Sequence, residues 1–187
     1  IYSMTVTGEA EEGPGGYGTI LRWKDREGKF HQKTMAQGQT YTDQLSLSLE
    51  GLIAGLIELG GSCQVDLYTD QVFIYDAIRL KWTERWVKEG FQRKKSGYVK
   101  HATQWMELIK CLNRHYVQAH KIILEQMDEP EKKCEQLARK AFSAAQLVIQ
   151  MSKKQEEKIK FDYFCYSCCR NCPERWRSPC SFYIAML

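Results

Sequence analysis

Residues 63–71, Cys63-Gln-Val-Asp-Leu-Tyr-Thr-Asp-Gln71, carry the pattern on which the predicted sheet is built. Val65, Leu67 and Thr69 alternate with more polar residues, which predicts a short buried β-strand that ends at Asp70. Apolar helical patterns precede and follow this strand, as in an open α/β sheet. Because chemistry in such sheets lies outside the carboxyl ends of the strands, Asp70 is a candidate site residue. Capping of the following helix is the alternative interpretation.

The rest of the chain predicts three strands before this stretch, and helices with one more strand after it. The first strands are expected at residues 1–7, 19–24 and 29–35, with a glycine-rich loop at 8–18. Helices are expected at 42–59, 72–82, 83–90, 101–115 and from 130 towards 160, with a last strand at 116–120. The predicted fold class is α/β, a mixed five-stranded sheet of antiparallel strands followed by parallel crossovers, with helices on both faces.

The charge of the chain is concentrated in one block. The formal net charge is +4, but residues 79–100 carry eight Lys or Arg against two Glu, and the remainder is slightly acidic. Such a block is typical of a surface that binds a polyanion. Trp82 and Trp86 lie within it, and we expect them to anchor a small pair of helices. The residues expected to contact nucleic acid are Lys81, Arg85, Lys88, Arg93, Lys94, Lys95 and Lys100.

Composition also bears on the compartment. No run of about 18 apolar residues could span a bilayer, and no signal peptide is evident. Five of the eight cysteines crowd between Cys165 and Cys180, unlike a secreted disulfide framework. We therefore expect a cytoplasmic protein without membrane association. The chain opens at Ile1 rather than Met, so it is compatible with a fragment of a longer protein.

Several pieces of the sequence follow one another in the order and spacing of a known family. They are Gly13-Pro-Gly-Gly-Tyr-Gly-Thr-Ile-Leu-Arg22, Leu67-Tyr-Thr-Asp70, Trp82-x-x-x-Trp86 with Lys88 and Gly90-Phe91, Val99-Lys-His-Ala-Thr-Gln-Trp105, and Cys134-Glu-Gln-Leu-Ala138. With them the chain resembles bacterial-type ribonuclease H over roughly residues 1–145. Residues 146–187 are then a helical extension and a cysteine-rich tail.

The resemblance implies hydrolysis of the RNA strand of an RNA–DNA hybrid by two magnesium ions, about 3.5–4 Å apart. In the family four carboxylates hold these ions, because magnesium prefers hard oxygen ligands. Two of the four are absent here. The family's first-strand Asp falls on Thr7, and its helical Glu falls on Leu47, or on Ser46 or Ser48 if the register shifts.

Three other family positions keep a residue that could act in catalysis, namely Asp70, Glu135 and His120, where the family has a mobile histidine. Asp70 and Glu135 alone would hold Mg²⁺ or Mn²⁺ weakly. A substitute site that adds Glu9 and Glu50 to these two carboxylates is the alternative. The main hypothesis is a catalytically impaired ribonuclease H-like domain that binds an RNA–DNA hybrid or a protein, as tether-like remnants in retroelement polyproteins do. The other two hypotheses are a divergent active ribonuclease H and a structural or assembly module.

The tail carries a separate metal hypothesis. Cys165, Cys168, Cys172 and Cys180 have the spacing of thiolate ligands and could form a Cys₄ zinc knuckle. Structural zinc sites usually separate their two Cys pairs by a dozen or so residues, whereas these pairs adjoin. A redox pair, disulfides and a tail without a selected role stay open. The aromatic residues around the cysteines indicate packing against a protein partner or a second copy of the chain.

Overall fold

The computed structural model describes residues 1–93 and 97–170, except the side chains of residues 161–170. Contacts divide the chain into two units, Ile1–Val148 and Ile149–Leu187. The strands are β1 Tyr2–Thr7, β2 Gly13–Lys24, β3 Phe30–Thr42, β4 Gln64–Thr69, β5 Gln92–Arg93, β6 Gly97–Tyr98 and β7 Tyr116–Lys121. The helices are α1 Gln44–Ile57, α2 Val72–Arg79, α3 Trp82–Lys88, α4 Ala102–Leu112 and α5 Glu129–Arg170, with a 3₁₀ turn at Leu124–Gln126.

Five strands form one mixed sheet in the order β3-β2-β1-β4-β7. The strands β1, β2 and β3 pair antiparallel, whereas β4 runs parallel to both β1 and β7. The predicted fold class is therefore confirmed. The parallel pairing of β1 with β4 places the carboxyl end of β4 beside the middle of β1, and Asp70 follows directly after β4.

The strands β2 and β3 are longer than the sequence predicts. Residues 13–18, expected to be loop, belong to β2, and β3 continues to Thr42 instead of ending near residue 35. The glycines of this stretch serve helix packing. A Cβ at Gly16 would overlap the backbone of Ala138 and Phe142 in α5, so only glycine lets the helix lie this close to the sheet.

Each face of the sheet buries its own apolar cluster. Beneath α1 to α4 the larger cluster includes Leu52, Leu67 and Trp105, which are fully buried. Beneath α5 a smaller cluster contains Met4 and Ile20. Helices therefore cover both faces, and burial of this apolar surface is the main favourable term in folding.

The second unit consists, in its described part, of the continuation of α5. Residues 150–160 of this helix are exposed, including Met151 and Ile159. Across the described residues of the whole chain, no helix is both long enough and apolar enough to cross a membrane.

Candidate active site

Asp70 lies at the carboxyl end of β4 and receives two donors from one residue in the middle of β1. The backbone N–H of Thr5 donates to Asp70 Oδ2 at 3.0 Å, and the Thr5 hydroxyl donates to the same oxygen at 3.5 Å. The backbone pairing of β1 with β4 ends at Ser3 and Thr69, so the Asp70 carboxyl takes over as acceptor beyond it. The N-cap of α2 is Gln71 and makes no side-chain capping bond. Asp70 thus joins strands rather than capping the helix.

Ser48 of α1 completes the polar group beside Asp70. Its hydroxyl lies 3.2 Å from the Thr5 hydroxyl and donates to the backbone carbonyl of Gln44 at 2.7 Å. Ser48 is only 2% exposed. Thr5 therefore contacts Asp70 directly and Ser48 contacts Thr5, so the polar group at Asp70 has one neutral hydroxyl from the first strand and one from the first helix.

These two residues correct the positions expected for the missing carboxylates. Thr7 and Leu47 do not reach Asp70; both pack at Gly15, where a Cβ would meet their methyl groups at 3.3 and 2.9 Å. Leu47 is fully buried there. Because helix positions one residue apart differ by about 100° in direction, Leu47 and Ser48 cannot face the same point. The structure thus places Ser48 of the helix and Thr5 of the strand, rather than Leu47 and Thr7, in the polar group at Asp70.

Burial dominates the electrostatics of Asp70. Burial, with a smaller contribution from the nearby charge of Glu135, raises the pKa of this carboxyl to about 6 against the opposing effect of the two donors from Thr5. Among the described residues, Asp70 Oδ1 is buried without a hydrogen-bond partner. A buried acceptor of this kind is costly unless a proton, water or ion satisfies it.

Glu135 reaches the site because its neighbour Cys134 fixes the start of α5 on the sheet. The Cys134 thiol donates to the carbonyl of Gly18 at 2.9 Å, and burial raises its pKa to about 12, so it remains a neutral thiol. The Glu135 carboxylate binds Arg139, whose Nε lies 3.0 Å from Oε1 and whose Nη2 lies 2.5 Å from it. Glu135 therefore already has a cation as its partner.

His120 lies elsewhere than the resemblance implies. It is part of β7 and stands opposite Tyr68 of β4, not in a loop beside Asp70. Its Nε2 is 3.0 Å from Asp66 Oδ1, and its ring stacks on Tyr68 with centroids 4.6 Å apart. Asp66 precedes Asp70 by four strand residues, about 13 Å of strand. The structure thus places His120 in a surface contact of the sheet, away from the Asp70 carboxyl.

The substitute carboxylate site is not formed either. Glu50 lies two residues after Ser48, about 200° around α1, and therefore faces away from Asp70. Its carboxylate accepts from Gln104 at 3.0 Å and from Gln39. Glu9 is an exposed loop residue, and no contact within the described residues brings it to Asp70.

The donor set does not fit the divalent metal that the family uses. Besides Asp70, the site has one carboxylate, that of Glu135, which is paired with Arg139. The other polar groups are the neutral hydroxyls of Thr5 and Ser48. Two magnesium ions need several hard anionic ligands in exchange for their water. Within the described residues, no group of three or more His, Cys, Asp or Glu side chains is placed to hold a metal ion.

The basic block forms a protrusion made of α3 and the short hairpin β5–β6. Arg85, Lys88 and Arg93 are exposed and have no ion pair among the described residues. Two other candidates are partly neutralised, since Lys81 lies 3.4 Å from Glu84 and Lys100 lies 3.2 Å from Asp43. Lys94 and Lys95 lie outside the described residues.

The tryptophans of this protrusion anchor it, as the sequence predicts. Trp86 is buried, and its ring lies 5.0 Å from Trp105 and 6.0 Å from Phe73, measured between centroids. Trp82 lies 5.8 Å from Phe73. Aromatic pairs at these separations add stability beyond their buried area. This aromatic packing holds α3, and with it the exposed cations of α3, in place on the domain.

The zinc hypothesis for the tail stays a prediction. Cys165 and Cys168 belong to the backbone of α5, but their side chains lie outside the description. Cys172 and Cys180 lie wholly outside the described residues.

Comparison with known proteins defines the class. The sheet order and the helices are those of the ribonuclease H fold, and the RNase H family model matches residues 6–143. The chain is 34% identical over 117 residues to ribonuclease H of Lachnoclostridium phytofermentans, covering 63% of this chain and 74% of the relative. It is 32% identical over 133 residues to ribonuclease H of Moorella thermoacetica, covering 71% and 84%. The chain belongs to the RNase H family.

Solved structures agree on the fold. LC9-RNase H1, described as a type 1 RNase H with the type 2 active-site motif, matches with a TM-score of 0.68 at 21% identity, covering 77% of this chain and 71% of that one. LC11-RNase H1, solved in complex with an RNA/DNA hybrid, matches with a TM-score of 0.54 at 15% identity, covering 77% and 96%.

Proposed function

We propose that this RNase H domain binds RNA–DNA hybrid and is impaired in cleaving it. One observation carries the proposal: the hydroxyls of Thr5 and Ser48 lie together beside Asp70, where a two-metal site needs carboxylates. Neutral hydroxyls cannot balance the charge of two divalent ions, and Glu135 is already bound by Arg139. What remains is a polar centre with two carboxylates, Asp70 and Glu135, of the four that hold the metal ions in the family.

Binding is supported by the protrusion. Arg85, Lys88 and Arg93 are exposed cations on an element that aromatic packing holds in place. Cations without protein partners are free to neutralise phosphates and release counterions, which supplies most of the affinity of nucleic-acid binding. A hybrid is the substrate class of the family, and LC11-RNase H1 was solved with one.

A weak metal-dependent nuclease is the second candidate. It is favoured by the retention of Asp70 with Glu135 close enough to perturb its pKa, and by relatives that are named ribonuclease H. In that case Asp70 is the residue on which all remaining activity depends.

Cleavage separates the two candidates. A labelled RNA–DNA hybrid is incubated with the full chain and with Asp70→Asn, in Mg²⁺ and in Mn²⁺, and binding is measured under the same conditions. We expect both proteins to bind the hybrid and neither to cleave it. Cleavage that requires metal and disappears in Asp70→Asn would contradict the impaired centre and establish the second candidate.

The binding surface has its own test. Replacing Arg85, Lys88 and Arg93 together by alanine is expected to weaken hybrid binding and to reduce its salt slope by about one for each lost phosphate contact. The matched control replaces three exposed cations elsewhere, Arg26, Lys29 and Lys110. Equal losses in the two triple variants would show that net charge, rather than the protrusion, determines binding.

A further inference from the structure

The outer edge of β3 presents backbone N–H and C=O groups that no described strand pairs with. β3 is a thirteen-residue strand at the end of the sheet, and among the described strands its neighbour is β2. Residues 34–42, Thr-Met-Ala-Gln-Gly-Gln-Thr-Tyr-Thr, contain neither charge nor proline. Natural sheets usually protect such edges with lysines, prolines or very short strands, because unpaired backbone groups recruit another strand.

A groove runs along this edge. It has a volume of about 510 Å³ and is lined by Gly38 to Tyr41 of β3 and by Ala144, Ala145 and Val148 of α5. The helix reaches this point because Gly38 lets the backbone of Ala141 lie directly on β3. A strand added to β3 would therefore lie beside the small side chains of α5 as well as the backbone of β3. This strand-and-helix geometry is one that binds extended segments by adding a strand to the sheet.

The side chains of β3 are complementary to those of β3 itself. In an antiparallel pair related by a two-fold axis at Gly38, Met35 lies opposite Tyr41 of the second copy, and Ala36 lies opposite Thr40. Tyr41 is 71% exposed, and an aromatic ring opposite a methionine is a favourable cross-strand pair. No charged residue stands opposite a like charge anywhere in residues 34–42.

We propose that β3 pairs with β3 of a second copy, so that two sheets join into one across the Gly38 axis. Because a two-fold axis normal to the sheet keeps each face on its own side, the two α5 helices then flank the junction on the same face. Ala144 and Val148, which line the groove beside β3, then lie next to the junction. One symmetric contact thus satisfies the strand edge and covers exposed apolar residues of the helix.

Sedimentation velocity of the full chain in reducing buffer, over a wide range of concentrations, tests the pairing. We expect a concentration-dependent dimer. The double variant Ala36→Lys with Thr40→Lys puts like charges directly opposite in two pairs, and is expected to raise the dissociation constant roughly tenfold or more. The matched variant Ala36→Glu with Thr40→Lys puts opposite charges at the same places and is expected to restore the dimer.

Three outcomes would overturn the proposal. A chain that is monomeric at every concentration would leave the edge to an extended segment of a different protein. A dimer that both double variants leave unchanged would form elsewhere, for example through the tail. A dimer lost equally in both variants, with circular dichroism showing folded protein, would exclude this register of pairing.

Discussion

At the scale of single residues, Asp70 determines what the centre can do. Its carboxyl keeps the place at the end of β4, but the partners it meets are the N–H and hydroxyl of Thr5 and, through that hydroxyl, Ser48. These contacts hold the side chain without neutralising it. The buried Oδ1 is left without a partner among the described residues, so the ionised form is disfavoured by burial.

This environment gives Asp70 a destabilising role at neutral pH. Its folded pKa of about 6 lies above the ordinary value, so between these two values the folded state binds more protons than the unfolded state. The free energy of unfolding therefore falls as the pH rises through this range. Asp70→Asn, which stays neutral, is expected to raise it by roughly 1–3 kcal/mol at pH 7.5 and hardly at all near pH 4.

Urea unfolding of the two proteins at both pH values measures this difference. Asp76→Asn removes a carboxylate from the surface of α2 and serves as the control, with no comparable gain expected. A loss of stability in Asp70→Asn at pH 7.5 would mean that an ion or a further donor satisfies the carboxylate in solution, and would argue for a working metal site.

The same residues show what a single sequence can and cannot reveal. Asp70 could be predicted as a site residue because Thr69-Asp70 ends a buried strand. Ser48 carried a readable signal, because it is a small polar residue between Leu45 and Leu52 in the buried stripe of α1. Thr5 carried none. Its distance to Asp70 depends on how far β1 slides along β4, which is a property of tertiary pairing.

At the scale of elements, the packing of α5 on β2 and β3 requires glycine. At Gly16 a Cβ would overlap the backbone of Ala138 and Phe142, and no side chain can move to relieve this. Gly16→Ala is therefore expected to lower the free energy of unfolding by about 1–3 kcal/mol. Gly61→Ala, at a position with open space around it, is the control and should change stability little.

Thermal and urea unfolding of these two variants measures the effect. Equal stability of Gly16→Ala and the parent chain would show that α5 does not pack on the sheet at Gly16. Because this packing also places Cys134 and Glu135, the position of Glu135 beside Asp70 would then lose its support.

Elements were predicted better than their ends. The helices follow from apolar stripes and the strand at residues 64–69 follows from alternation, so they could be predicted from local pattern. The start of β2 could not, because Gly13 to Gly18 resembles a loop by composition. These residues are strand because they pair with β1 and β3, and Gly16 and Gly18 also lie against α5. Contacts between residues more than a hundred positions apart leave no local pattern in the sequence.

At the scale of the whole molecule, the chain keeps the fold of the RNase H family while its centre lacks the ligands for two metal ions. The family model spans most of the domain, and the cation-bearing protrusion keeps its aromatic anchor. The fold accommodates these neutral side chains, because the Ser48 hydroxyl donates to the Gln44 carbonyl and the Thr5 hydroxyl donates to Asp70. We therefore expect this domain to bind RNA–DNA hybrid without cleaving it.

Restoring the missing acids tests whether their absence is what impairs cleavage. Thr5→Asp with Ser48→Glu places carboxylates at the two positions beside Asp70, and Thr7→Asp with Leu47→Glu places the same two acids at positions that pack on Gly15 instead. Cleavage of RNA–DNA hybrid is measured for both variants and the parent chain, together with the rise in melting temperature on adding Mg²⁺.

We expect Thr5→Asp with Ser48→Glu to gain metal-dependent cleavage and stabilisation by Mg²⁺. The parent chain and the other double variant are expected to show neither. A folded and hybrid-binding Thr5→Asp, Ser48→Glu protein that stays inactive and insensitive to Mg²⁺, or a parent chain that already cleaves as fast, would contradict the account.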